Sequence, residues 1–238
     1  MVTKNQIKLV VSLKQKKYRS QHGLFVVEGE KLVKELLQAG VRPFKIFVDG
    51  TWNGSGLGET ELVSGNILKL MSSLKQPNGV LGVFHMPNTM KTEVSDWVVA
   101  LDAVRDPGNL GTIIRLCDWF GIRQLVCSED TVDCYNPKVL QATMGSIARV
   151  NMVYAPLSEF LKSAHQPVFG AFMDGGPVHG KVLPSKGILV MGNEANGISD
   201  EVGAWVTERI SIPQFGGDTA ESLNVATATA ILLNEIRR

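Results

Sequence analysis

The chain has 238 residues, 44% of them apolar and 20% charged, with a formal net charge of +1. This size supports one or two domains with a self-sufficient core, and the composition excludes a mainly disordered or collagen-like chain. No apolar run approaches the ~18 residues of a membrane helix, and the first residues lack a signal-peptide apolar segment. Cys117, Cys127 and Cys134 are too few and too scattered for a disulfide framework, so a reducing, cytoplasmic setting is expected.

Charge is unevenly placed. Residues 1–50 hold ten Lys/Arg against four Asp/Glu, a net +6, and the remaining 188 hold fourteen against nineteen, a net −5. Lys4, Lys8, Lys14, Lys16, Lys17 and Arg19 fall within the first twenty residues, which contain no acid. Such a cluster attracts phosphate backbones, although a solvated helical face carries the same pattern.

Residues 1–85 read as helix, strand, helix, strand and further short elements. Glu30–Ala39 has helical periodicity, and Phe44–Val48 and Gly79–Phe84 are strand-like, with a glycine-dense loop over 51–58. The polar, proline-bearing stretch within 86–96 is the expected linker.

From Trp97 onward, short apolar runs at 97–101, 124–127, 167–172, 187–191 and 210–212 alternate with helical stretches at 110–120, 137–147, 157–164 and 201–207. A long helical run closes the chain at 222–236. Alternation of this kind predicts a parallel sheet covered on both faces, an α/β domain over 97–238.

Several familiar signatures fail. No Gly-x-Gly-x-x-Gly follows a strand, since Gly54, Gly56 and Gly58 lie in a loop with no helix behind them. Gly175 and Gly180-Lys181 have P-loop spacing, but Val182 replaces the magnesium-binding hydroxyl and Pro184 blocks the helix. His22, His85, His165 and His179 are scattered, so no metal site is expected, and Ser146 sits in no Gly-x-Ser-x-Gly elbow.

Three other segments each follow a predicted strand. Asp106-Pro107-Gly108-Asn109-Leu110-Gly111-Thr112-Ile113-Ile114-Arg115 reads as a turn and a helix start, with Asn109 able to cap and Arg115 less than two turns on. Met191-Gly192-Asn193-Glu194-Ala195-Asn196-Gly197 is a glycine-flanked loop carrying one carboxylate, placed where open α/β sheets bind ligands. Ile212-Pro213 through Ser222-Leu223-Asn224-Val225 ends another strand and starts the last helix, whose free N–H groups favour anionic groups. Each is also compatible with plain turns and helix caps.

In order and content the three resemble the motifs of the SpoU–TrmH family, RNA ribose 2′-O-methyltransferases of the SPOUT superfamily, over about residues 97–238. Ala226 departs from the family pattern, which often has serine there, and receives no role. Residues 1–85, with Ser12-Leu13-Lys14 and Gly23-Leu24-Phe25-Val26-Val27-Glu28-Gly29, resemble more loosely the small α/β RNA-binding domain often attached to this family. The resemblance implies a C-terminal parallel-sheet domain with a deep trefoil knot, S-adenosylmethionine bound by the knot loops, and a homodimer that completes the site. Patterning alone predicts an unknotted sheet.

The resemblance further implies roles for particular residues. Gly192, Asn193, Gly197, Ile212 and Leu223 are expected at the cofactor. Asn109, Arg115, Glu194, Ser222 and Asn224 are expected around the methyl group and the ribose, and the basic residues of the first twenty are expected to hold RNA. Ribosomal RNA is preferred as substrate over transfer RNA. The reading from another class is an RNA-binding assembly protein that keeps the fold without turnover.

Overall fold

The computed structural model describes residues 2–52, 55–87, 96–216 and 221–238. The chain divides into two compact units, one of residues 1–88 with 133–148 and the other of 89–132 with 149–238. Most of the expected linker, at 88–95, together with Gly54 of the early loop and 217–220 of the third motif, lies outside the described residues.

The first unit opens with α1 (Lys4–Ser12), whose start is fixed by a capping box. The Thr3 hydroxyl accepts from the Gln6 N–H, and the Gln6 amide oxygen accepts from the Thr3 N–H. There follow α2 (Lys16–His22), β1 (Leu24–Glu28), α3 (Glu30–Gln38), β2 (Pro43–Val48), β3 (Glu61–Leu62), α4 (Gly65–Met71) and β4 (Val80–His85). The strands form one sheet in the order β1-β4-β2-β3, with β4 antiparallel to both neighbours. Val10 of α1 and Leu13 just after it pack with Phe47, Leu68, Met71, Leu81 and Val83 in its core.

The second unit contains β5 (Val98–Leu101), α5 (Pro107–Trp119) and β6 (Gln124–Cys127). The chain then enters the first unit through α6 (Pro137–Thr143) and a 3-10 turn at Ser146–Ala148, where the Gln141 side chain donates to the Glu28 carbonyl at 3.0 Å. It returns as β7 (Asn151–Tyr154), α7 (Leu157–Lys162), β8 (Val168–Pro177), β9 (Ile188–Met191), α8 (Asp200–Gly203), β10 (Glu208–Ser211) and α9 (Val225–Ile236). The sheet order is β10-β8-β9-β5-β6-β7, and every pairing among the described residues is parallel. Strands β5 and β9 are buried at every position, as a sheet covered on both faces demands.

Several element boundaries differ from the sequence expectation. The helix expected over 137–147 stops at Thr143, because Met144 takes φ +52° and Gly145 φ +101°. The helix expected over 201–207 is one turn, and the last helix begins at Val225, with Asn224 as its cap. Strand β7 was not anticipated: all four of its residues are half-buried at a sheet edge, so it shows no apolar run. Strand β8 runs to Pro177, past the expected 172, since Gly176 and Pro177 pair with Ile210 and Ser211 beyond a bulge. Gly175, one of the failed P-loop glycines, lies in that strand. A Cβ there would meet the Ile210 backbone at 2.6 Å.

Candidate active site

Parallel strands end together, and two of the ends, after β9 and after β10, meet at one cavity. The loop after β9, the segment after β10 and the start of α9 line a space of about 560 Å³, with Ala171, Phe172 and Met173 of β8 closing one side. Small-molecule sites span roughly 300–1,000 Å³ with mainly apolar walls and a few placed polar groups. Here Met191, Ile210, Ile212, Leu223 and Leu232 supply apolar wall, while Asn193, Glu194 and Ser222 supply polar groups.

The loop after β9 is held at both ends by the residues that follow β5. Asp102, buried at the end of that strand, accepts through Oδ2 from the Ser199 N–H at 2.7 Å and from the Ser199 hydroxyl at 2.8 Å. The Asn193 side-chain amide donates to the Ala103 carbonyl at 2.7 Å. Its Oδ1 accepts from the N–H groups of Ala195 and Asn196, shaping the turn between. Ala103 sits at φ +56°, a conformation that non-glycine residues seldom adopt, and its N–H donates to the Ser128 hydroxyl at 2.8 Å. Asn193 therefore lines the cavity, but its side chain is committed to the loop.

Gly192 is required sterically. A Cβ at this position would come within 2.2–2.5 Å of the Gly197 and Ile198 backbone, which no side-chain adjustment can relieve. Gly197 closes the same turn at φ +69°, where it exchanges backbone hydrogen bonds with Asn193.

Asn109 does not cap α5. Asp106 does, accepting from the Asn109 N–H at 2.8 Å, with Pro107 in the first turn. The Asn109 side chain is thereby free to join the other two motifs. Its Nδ2 donates to Glu194 Oε1 at 2.7 Å, and its Oδ1 accepts from Asn224 Nδ2 at 2.9 Å. Asn224 Oδ1 in turn accepts from the Ala226 and Thr227 N–H groups as the cap of α9. The chain Asn224–Asn109–Glu194 thus crosses all three motifs at the cavity rim.

The expected cofactor residues Gly192, Asn193, Gly197, Ile212 and Leu223 all line the cavity, as do Glu194 and Ser222. Arg115 does not. It lies six residues along α5 from Asn109, about 9 Å of rise, and is exposed with no ion pair to a described residue. Sequence reasoning missed Asp102 and Ser199, and also Phe172 and Met173 of the cavity wall. A lone aspartate directly after the apolar run of β5 was the available signal, since strand ends carry function in open sheets. Burial pushes the Cys117 thiol well above its ordinary range, which makes it an inert core group.

The basic cluster needs correction at one position. Arg19 is buried at 3% exposure, ion-paired with Asp133 and donating to the Leu13 and Lys14 carbonyls. Its charge is consumed inside the first unit, so it is not an RNA contact. Lys14 is exposed, but its Nζ donates to the Ser72 carbonyl at 2.6 Å. Lys4, Lys8, Lys16 and Lys17 are exposed on α1 and α2.

Residues 4–82 match the MRM3-like substrate binding domain. The chain is 32% identical to the Bacillus subtilis 23S rRNA (guanosine(2553)-2′-O)-methyltransferase RlmP, covering 98% of this chain and 97% of that protein. A TrmH-family protein from Porphyromonas gingivalis superposes with a TM-score of 0.90 at 38% identity, covering 100% of this chain and 98% of the other. An AdoMet-bound rRNA methyltransferase from Sinorhizobium meliloti gives 0.86 at 29% identity, covering 100% and 95%. Residues 96–234, which hold the cavity and all three motifs, match the SpoU rRNA Methylase family, and the chain belongs to it.

Proposed function

We propose that this protein transfers a methyl group from S-adenosylmethionine to a ribose 2′-hydroxyl of ribosomal RNA. The observation that carries the reading is the hydrogen-bonded chain Asn224–Asn109–Glu194 at the rim of a cavity floored by a glycine that admits no side chain. It is supported by the activity named for the Bacillus subtilis relative, which matches over nearly its full length.

The cavity suits S-adenosylmethionine. Its apolar walls accept an adenine ring, its polar groups accept the ribose and amino-acid ends, and Gly192 lets the loop that walls the cavity pack its own backbone at Gly197 and Ile198 closely. Bound there, the cofactor supplies an electrophilic methyl on a sulfonium. Gly192, Gly197, Ile212 and Leu223 would hold it, with Asn193 fixing the loop. The protein's own work is then to place the ribose in line and exclude water. Asn109, locked between Glu194 and Asn224, fixes the rim on which the ribose rests, and Ser222 offers a hydroxyl beside it.

Arg115 completes the proposed site from outside the cavity of its own chain. A guanidinium keeps its proton at neutral pH, so its role here is to grip the RNA phosphate and orient the 2′-hydroxyl, whose proton leaves to phosphate or water. This placement favours a homodimer in which a second copy brings its arginine to the rim. The exposed Trp119 (84%) at the end of α5 offers apolar surface for such pairing. The knotted threading implied by the family, a cytoplasmic location and RNA contacts by Lys4, Lys8, Lys16 and Lys17 belong to the same reading.

The test is ribose-methylation mapping of ribosomal and transfer RNA from cells with and without the gene. One ribosomal 2′-O-methyl mark should disappear, return with the wild-type gene and stay absent with Arg115→Ala. Loss of a transfer-RNA mark instead would reassign the substrate. Unchanged marks everywhere would favour an assembly protein without turnover.

A further inference from the structure

The first unit carries an aromatic and basic cluster that the active-site reading does not use. Strand β2 begins Pro43-Phe44-Lys45, and its pairing with β4 slips there: Pro43 lies opposite Phe84 and Lys45 opposite Val83. Phe44 is the extra residue of a bulge, and bulges re-aim the side chain they carry. The consequence is visible in exposure, since Phe44 is 47% exposed while Phe47 and Phe84 are at 1% or less.

The exposed ring has particular neighbours. The Phe44 and His85 rings meet at 5.8 Å and 76°, an edge contact, and no other aromatic contacts Phe44 among the described residues. Arg42 Nη2 donates to His85 Nε2 at 2.9 Å, which fixes the imidazole and holds the guanidinium beside the ring. Arg42 is exposed, with no carboxylate paired to it among the described residues. The end of α2 lies alongside, because Leu24 pairs with His85 and the Met86 N–H donates to the Gly23 carbonyl. The surrounding sequence, residues 1–50, carries a net +6.

An unstacked aromatic ring beside a guanidinium that no carboxylate neutralises is the chemistry that takes one nucleotide of single-stranded RNA, the base on the ring and the phosphate on the guanidinium. A helical duplex, with its bases stacked inside, offers no face to such a ring. We propose that Phe44, Arg42 and His85 form a stacking platform for an unpaired nucleotide of the RNA substrate. This rests on the reading that the protein acts on RNA, and it names the feature of that RNA which the first unit takes.

The experiment uses the full chain, with fluorescence polarisation against a labelled uridine decamer and a blunt ten-base-pair RNA duplex, and with 23S rRNA by filter binding. Phe44→Ala should weaken the decamer by about 5-fold to about 100-fold and leave its salt dependence unchanged, as loss of one stacked base does. Phe44→Trp should restore binding, and the duplex should change less than twofold in both variants. Arg42→Ala should weaken the decamer and make its salt slope shallower by about one. Unchanged circular dichroism and S-adenosylmethionine affinity would show that each variant is folded. Wild-type binding to the decamer that Phe44→Ala leaves within twofold overturns the platform. So does wild-type binding to 23S rRNA with none to the decamer. Wild type that binds neither RNA overturns the underlying reading as well.

Discussion

The buried Asp102 carboxylate holds Ser199 by two hydrogen bonds to one oxygen, from the backbone N–H at 2.7 Å and the hydroxyl at 2.8 Å. Asp102 ends a central strand and Ser199 ends the loop that walls the cavity, so the pair transfers the rigidity of the sheet to the proposed cofactor site. Removing a charged acceptor from two donors costs about 1–3 kcal/mol. Asp102→Ala should therefore weaken S-adenosylmethionine binding roughly tenfold or more by calorimetry. Ser199→Ala, which keeps the N–H bond, should lose about threefold or less. Equal effects in the two variants would mean that the hydroxyl alone carries the contact.

Asn109 serves as donor to Glu194 and acceptor from Asn224 at once, a pairing that an ionised carboxylate cannot make. Asn109→Ala removes both bonds. Asn109→Asp keeps the bond from Asn224 and sets a second carboxylate against Glu194, where like charges repel. The aspartate variant should turn over more slowly than the alanine variant, and both should fall at least ~100-fold below wild type in kcat. Single-turnover methylation of 23S rRNA measures this. An aspartate variant faster than alanine would show that Asn224, not Glu194, is the partner that matters.

This pair also shows how far the sequence could be read. Alternation of apolar runs with helical stretches placed most strands of the parallel sheet, because buried strands must be apolar at every position. Strand β7 escaped for the opposite reason, being a half-buried edge. The three motifs could be aligned by resemblance, yet which asparagine capped which helix could not. Asp106 and Asn109 are both good caps, and only the position of Glu194, 85 residues away, decides that Asn109 turns outward. Arg19 is the same lesson in charge. Six bases in twenty residues look alike until Asp133, more than a hundred residues on, is brought against one of them.

That correction changes the expected electrostatics of RNA binding. Arg19 is paired internally and Lys14 donates to a carbonyl, while Lys4, Lys8, Lys16 and Lys17 are exposed on the surface of the cluster. If each of these four neutralises one phosphate, together they contribute about −3 to −4 to the slope of log affinity against log salt. Replacing Lys4, Lys8, Lys16 and Lys17 together by Gln should make the slope shallower by about three to four, leaving the share of Arg42 and Arg115, whereas Arg19→Gln should lower thermal stability instead. A slope that four glutamines leave unchanged would place the RNA on another face.

The last turn of the chain is tied to the strand that begins the second unit. Arg237 donates from Nη1 to Asp96 Oδ1 at 2.9 Å and from Nη2 to Oδ2 at 2.8 Å, and its Nε reaches the Phe120 carbonyl at 2.8 Å. The guanidinium holds the Asp96 carboxyl below its ordinary range, against an opposing push from partial burial. A carboxylate whose folded pKa is depressed adds stability above its unfolded value, near ~3.9, and loses it as pH falls through the lower folded value. The pair is partly exposed, so its share is about 1 kcal/mol or less. Arg237→Ala should therefore melt about 2–4 °C below wild type at pH 7, with the gap narrowing as pH drops below ~4 and the carboxylate is protonated in both proteins. A gap that stays constant down to pH 3 would assign the effect to the Phe120 carbonyl bond rather than to the ion pair.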